Sequence, residues 1–303
     1  MTMKRFFAVL VALATLALGA TAEAKLSIVA TTPNLASVAK EVAGDDADVT
    51  ALALHTQDPH FVDAKPKLAL TLAKADLLIS AGLSLEIGWL PTLQTGARNG
   101  DIQRGGKGYL DCSQFVKVLD VPEGKVDRSM GDVHPQGNPH YMYDPRQAAR
   151  VAKGIAEKLA KLDPAHAGDY KKNAISFIKR LGKATKGWQK KLAKAKGAKI
   201  IAYHKSYPYL ANWLGLDVVE HVEPRPGIPP NPHHVTHVLD VAKQDHVKAI
   251  LQEAFYPAKT SEMIAKQAGL TVLRLPAAPN FKGGEGYIEH MSRVVNALAK
   301  VYQ

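Results

Sequence analysis

Residues 163–196 read DPAHAGDYKKNAISFIKRLGKATKGWQKKLAKAK, and the spacing of their apolar side chains decides the architecture. Tyr170, Ala174, Phe177, Ile178, Leu181, Trp188 and Leu192 fall at the intervals of one helix face. The opposite face is almost entirely lysine. Asp163 reads as an N-cap, with Pro164 at the first helical position, where a missing N–H is tolerated. Gly182 and Gly187 weaken the pattern locally but bring no linker composition. One long amphipathic helix is predicted over 164–196, and elements joined by such a helix move less against each other than elements hinged on loops.

The sequence on either side repeats one grammar. Before the helix, Ser27-Ile28-Val29-Ala30 is a strand closed by Thr31-Thr32-Pro33-Asn34, followed by a helix from Leu35 to Val42 that ends at Gly44. A strand from Val49 to Leu54, a helix from Lys65 to Lys74 and a strand from Leu77 to Ser80 follow. After it come strands at 199–203, 217–222, 247–252 and 270–275, separated by helices at 207–214, 234–243 and 261–268 and closed by one at 287–302. Strands alternating with helices imply a parallel, doubly wound sheet. The expected fold is α/β: two similar lobes with parallel sheets flanked by helices, at 25–163 and 197–303, joined by one long rigid helix at 164–196.

The N-terminus sets the compartment. Lys4 and Arg5 precede an apolar run from Phe6 to Ala20 and then Ala22-Glu23-Ala24, the three parts of a cleaved secretory signal peptide. The run is shorter than the roughly 20 residues that span a bilayer. Residues 1–24 are therefore expected to be removed, leaving a periplasmic protein that is not membrane-inserted. Cys112, the only cysteine, is far from that cleavage point and cannot form an internal disulfide; it reads as a small buried hydrophobe. The formal charge of +11 falls by one when Lys4, Arg5 and Glu23 leave with the leader. The surplus lysines lie on one helix face without interleaved aromatics, which argues for solvated surface and against nucleic acid.

Three histidines stand where strands run out: His60 in Gln57-Asp58-Pro59-His60-Phe61, His140 in Gly137-Asn138-Pro139-His140-Tyr141, and His204 directly after the strand at 199–203. Open α/β sheets bind ligands beyond the carboxyl ends of their strands. Three neutral imidazoles and one further group make a tetrahedral transition-metal site. Spacings of this length match no compact zinc motif, so pattern alone makes the site weakly.

The order of motifs is more specific. Asp58-Pro59-His60-Phe61 with Lys65-Pro66 looks like a DPHxY-type turn before a helix. Asn138-Pro139-His140-Tyr141-Met142-Tyr143-Asp144-Pro145 looks like DPHxWLDP, and the stretches 75–90 and 202–210 follow in register. Nearly the whole mature chain thus resembles the zinc/manganese family of periplasmic solute-binding proteins. The resemblance implies a monomeric carrier, not an enzyme, that captures a divalent metal in the cleft and delivers it to the membrane permease of an ABC importer. It also implies His60, His140 and His204 as metal ligands. Manganese-type members pair two histidines with two carboxylates; His204 at the third position favours zinc, with manganese left open.

The chain departs from the family at the fourth position. Ala277-Ala278-Pro279-Asn280 stands where many members carry an aspartate, leaving water, Glu253 or Glu285 as candidates. His134 is read as a loop residue that assists metal entry at most. His233 and His237, four apart, form at best an auxiliary pair, and His55 is a candidate to support His60. An exported zinc hydrolase using the three imidazoles and an activated water, or a surface adhesin or metal buffer, are the alternatives; no HExxH or comparable base-bearing motif is present.

Overall fold

The computed structural model describes residues 25–302 apart from 125, 128, 129 and 132. The leader expected at 1–24 lies outside these residues, and no described helix is long and apolar enough to cross a membrane.

The first lobe is built from β1 (Leu26–Ala30), α1 (Pro33–Ala43), β2 (Ala47–Ala51), α2 (Pro66–Ala73), β3 (Leu77–Ser80), α3 (Leu90–Ala97), β4 (Tyr109–Asp111) and α4 (Pro145–Leu162). After α5 (Ala167–Lys191), the second is built from β5 (Lys199–Ala202), α6 (Pro208–Leu214), β6 (Asp217–His221), α7 (Pro232–Gln244), β7 (Ala249–Glu253), α8 (Lys259–Ala268), β8 (Thr271–Leu275) and α9 (Tyr287–Tyr302). Both sheets are fully parallel, and their strand orders, β2-β1-β3-β4 and β6-β5-β7-β8, are equivalent. The expectation of two similar α/β lobes holds.

Proline sets most helix starts. Thr32-Pro33, Lys65-Pro66, Asp144-Pro145, Tyr207-Pro208 and Asn231-Pro232 each place proline at the first turn, where its fixed φ suits the helix. Thr32, Asp144 and Asn231 add side-chain caps to the backbone N–H groups of Leu35, Arg146 and His234. The long helix begins differently from the sequence expectation. Pro164 opens a 3-10 turn, Pro164–His166, and the α-helix starts at Ala167. Asp163, instead of capping it, accepts hydrogen bonds from the His166 ring and the Tyr170 hydroxyl.

Alternate residues of each strand enter different cores, as a two-residue period requires. Ile28 and Ala30, with Ile200 and Ala202, join one cluster that runs through both lobes by way of Tyr170, Phe177, Leu181 and Trp188 on α5. Val29 and Leu78 face a second cluster under α2 and α3, and Ile201 and Ile250 a third under α7 and α8. The apolar face of α5 thus packs against α4, α1 and α9, while its lysines are exposed. With both faces of each sheet covered, the functional residues are left to the loops at the strand ends.

Candidate metal centre

Two Asx-Pro-His turns and one strand end bring three imidazoles together. In Asp58-Pro59-His60 and Asn138-Pro139-His140, the side-chain oxygen of the first residue accepts the histidine backbone N–H at 2.9 Å in each case, the local bond that makes Asx residues turn formers. The proline between them fixes φ. Trp89 Nε1 donates to the Pro59 carbonyl at 2.9 Å and holds the first turn against α3. Asn138 Nδ2 donates to the Lys205 carbonyl at 2.7 Å, tying the second turn to the loop that carries His204. Tyr209 Oη donates to the Asn138 carbonyl and accepts from Leu119 N–H.

The result is compact. The ring centroids of His60, His140 and His204 form a nearly equilateral triangle with sides of 5.2, 5.3 and 5.5 Å. One ligand nitrogen from each lies within 4.8 Å of the others. His60 and His204 are buried and His140 nearly so. His60 Nδ1 donates to Asp58 Oδ1 at 2.7 Å and His204 Nδ1 to Glu223 Oε2 at 2.8 Å, which leaves Nε2 of both rings unprotonated. Nε2 of His140 is buried with no hydrogen-bond partner, a costly state for a polar atom unless something fills the gap. Carboxylate–imidazole pairs of this kind orient metal-binding histidines and raise their basicity.

Electrostatics favour a neutral His140 ring. Burial, with the neighbouring His60, His204 and His134, drives the His140 pKa well below its ordinary value. Burial raises the Asp58 carboxyl, but the hydrogen bond and charge of His60 outweigh it and the net shift is downward.

His134 departs from the sequence expectation. Its Nε2 is 3.2 Å from His60 Nε2 and the two rings stack with centroids 5.3 Å apart. It lines the same pocket as His140 and His204. Burial lowers its pKa to about 3. No periodicity marks this residue, because it sits in an irregular loop.

The proposed fourth ligands do not join the trio. Glu285 is held on the surface by Arg293 at 2.6 and 2.7 Å and by Asn280 N–H at 2.7 Å. Glu253 is buried and lines the cavity beside His140, its Oε1 3.5 Å from the Tyr143 hydroxyl, but it is not among the converging ligand atoms; burial raises its pKa to about 7. The support for His60 comes from Asp58, not from His55. His237 pairs with Glu220 at 2.8 Å and has His234, not the exposed His233, as its ring neighbour. Glu223 is the residue that sequence reasoning missed; its place just past β6, the strand beside β5, was the available signal. Cys112 is buried, as expected.

The folded chain holds several imidazoles neutral, with a consequence for acid stability. His134 and His290 are lowered to about 3 and His221 to about 4, all mainly by burial, and burial likewise takes His140 well below its ordinary value. Between those values and about 6.5 the unfolded chain binds more protons, so stability falls as pH drops through that window. Glu86 and Glu253, raised by burial to about 7, act oppositely between pH 7 and 4.5 but are fewer. Urea denaturation of the metal-free protein is expected to show about 2–3 kcal/mol less stability at pH 5 than at pH 7, taking about 1.4 kcal/mol per group per pH unit. Equal stability at the two pH values would contradict this balance.

Known proteins share this architecture. The chain is 25% identical over 285 residues to the zinc-binding lipoprotein AdcA of Streptococcus pneumoniae (strain ATCC BAA-255 / R6), covering 91% of this chain and 56% of that protein. It is 24% identical over 290 residues to the manganese ABC transporter substrate-binding lipoprotein PsaA of Streptococcus anginosus, covering 93% and 90%. The chain therefore spans little more than half the length of AdcA and most of PsaA. The crystal structure of ZnuA superposes with a TM-score of 0.78 at 23% identity, over 92% of this chain and 100% of that one; at that identity the likeness speaks for the fold. The family described as "Zinc-uptake complex component A periplasmic" matches residues 28–301, nearly all of the described chain, and the chain belongs to that family.

Proposed function

We propose that this protein is the periplasmic substrate-binding component of an ABC importer, and that it captures one zinc ion with His60, His140 and His204 and hands it to a membrane permease. The observation that carries this reading is the convergence of three imidazole nitrogens within 4.8 Å, two of them with carboxylates on their far nitrogens. Imidazole is a borderline ligand that suits zinc, copper and nickel, whereas manganese prefers oxygen donors. Among the described residues no carboxylate joins the trio, which supports zinc as the cargo. The names of AdcA and PsaA point to zinc and to manganese respectively, so the choice between metals rests on the donor set.

Carriage also fits the chemistry better than hydrolysis. A zinc hydrolase needs a general base facing the metal-bound water. Here Asp58 and Glu223 are turned onto imidazole nitrogens, where they orient ligands instead. The chain is accordingly read as a carrier without a catalytic role.

Titrating metal-free protein with zinc, and then challenging the complex with manganese, tests the proposal. One zinc per chain that excess manganese fails to displace is expected. Preferential retention of manganese would overturn the zinc assignment, and the absence of a stoichiometric metal would overturn carriage.

A further inference from the structure

We propose that His134 is a fourth, loop-borne ligand of this centre, which completes a tetrahedron of imidazoles and sets the preference for zinc over manganese. The proposal rests on the reading of the His60–His140–His204 trio as a metal site.

The His134 ring is turned towards the trio. Nε2 points at Nε2 of His60 across 3.2 Å. On His60 the proton sits on Nδ1, donated to Asp58, so its Nε2 is a bare lone pair. The His134 ring makes a hydrogen bond to the Leu83 backbone, and with Nε2 turned to His60 the other ring nitrogen carries that proton. Two bare lone pairs then face each other, which is unfavourable unless a cation lies between them. Zinc–imidazole bonds of about 2.0–2.1 Å in a tetrahedron place neighbouring nitrogens about 3.3–3.4 Å apart. The His60–His134 separation is close to that spacing, whereas His134 lies outside the group of nitrogens within 4.8 Å of one another, its ring 6.5 Å from that of His140, so the loop closes inward to complete the set.

The loop is seated to present this ring. Leu83 and Ser84 both adopt left-handed backbone, with φ of 51° and 64°, a conformation that costs non-glycine residues free energy and recurs at functional sites. That turn offers the Leu83 carbonyl to His134. Ser84 Oγ donates to Gln136 Oε1 at 2.7 Å, two residues beyond His134. Gly137 N–H closes the turn onto the His134 carbonyl at 3.1 Å. Gly137 itself has φ of 109°, and a Cβ there would lie 2.3 Å from Val118, so the loop can fold this tightly only with glycine.

Among the described residues no carboxylate belongs to the converging group, although Glu253 lines the cavity beside His140. Alanines occupy 277 and 278, where they line the cavity beside His140, and Glu285 is held by Arg293. Among the described residues His134 is the further nitrogen donor next to the trio. Three imidazoles and a water would bind zinc; a fourth imidazole adds a borderline donor that favours zinc and gives manganese little. Because this ligand comes from an irregular loop, it can leave without disturbing the other three.

The test compares wild type with His134→Ala, His134→Asn and His134→Asp, using competition with a zinc-chelating dye and parallel manganese titration. Unchanged melting of the metal-free variants confirms that they fold. The expected result for Ala and Asn is one zinc per chain bound about 10–100-fold more weakly, with manganese affinity within about threefold of wild type. The aspartate variant is expected to move the zinc-to-manganese ratio towards manganese. Wild-type zinc affinity in the Ala and Asn variants, or an equal loss for both metals, would overturn the role of His134 while leaving the trio intact. Failure of the trio itself would be seen separately, as full zinc affinity in His60→Ala.

Discussion

Replacing His204 with alanine is expected to weaken zinc binding by about 10²–10³-fold. Zinc held by four protein ligands in small folded sites is bound with about 10–16 kcal/mol, so one ligand accounts for roughly 3–4 kcal/mol, and each 1.4 kcal/mol is about tenfold. The side chain is 3% exposed and its ring packs 5.8 Å from that of Tyr256, so no other donor moves easily into its place. Glu223→Gln provides the graded control. Glu223 accepts both His204 Nδ1 and the Gly227 N–H, at 2.8 and 3.1 Å, and loss of its charge is expected to weaken zinc by about 10–100-fold. Competition against a dye of known affinity reads both variants. A loss below tenfold for His204→Ala would mean that the metal is held elsewhere.

Phe177→Ala is expected to cost about 3–5 kcal/mol of stability, the usual range for removing a buried aromatic ring. Phe177 is fully buried in the middle of α5, edge-on to Tyr287 with centroids 6.3 Å apart. The cluster it belongs to contains Ile28 and Ile79 of the first sheet and Ile200 and Leu251 of the second. A cavity there loosens both lobes at once. Far-UV circular dichroism and tryptophan fluorescence should therefore follow the same denaturation curve, with Trp89 reporting on the first lobe and Trp213 on the second. Two separated transitions, or a loss below about 1 kcal/mol, would show that the lobes do not share a core across α5.

The legible parts of the fold are those with strong local signals. Apolar runs such as Leu77-Leu78-Ile79 read as buried parallel strands because both faces of each sheet are covered. Thr32-Pro33 and Asn231-Pro232 announce helix starts, and Gly215 and Gly269, both with φ of 71°, close α6 and α8. Other elements carry too little signal. β4 is only three residues long and is recognised by its pairing with β3. Helix α4 has a clear apolar face in Val151, Ile155 and Leu159, yet the chain enters it directly from the second histidine motif with no strand before it to mark a βα unit. The misplaced start of α5 reflects a conflict between two roles of Asp163: its carboxylate is taken up by His166 and Tyr170.

For the site, the three histidines are visible because each is carried by a motif or a strand end. Their partners are less so. Asp58 stands in the first motif, but its bond to the His60 ring depends on the turn geometry. Glu223 and His134 are 19 and 70 residues from His204 in the chain, and only the tertiary fold brings them near it. The two candidate carboxylates illustrate the converse: Glu253 and Glu285 have the right chemistry, but one lies outside the group of converging ligand atoms and the other is committed to Arg293.

Zinc K-edge X-ray absorption of the one-to-one complex examines the central claim at the metal itself. It predicts four nitrogen or oxygen neighbours at about 2.0–2.1 Å, with the outer-shell scattering of at least three imidazoles and a fourth imidazole contribution that disappears in His134→Ala. A spectrum showing fewer than three imidazoles, or a six-coordinate oxygen shell, would contradict an imidazole-built zinc centre in this cleft.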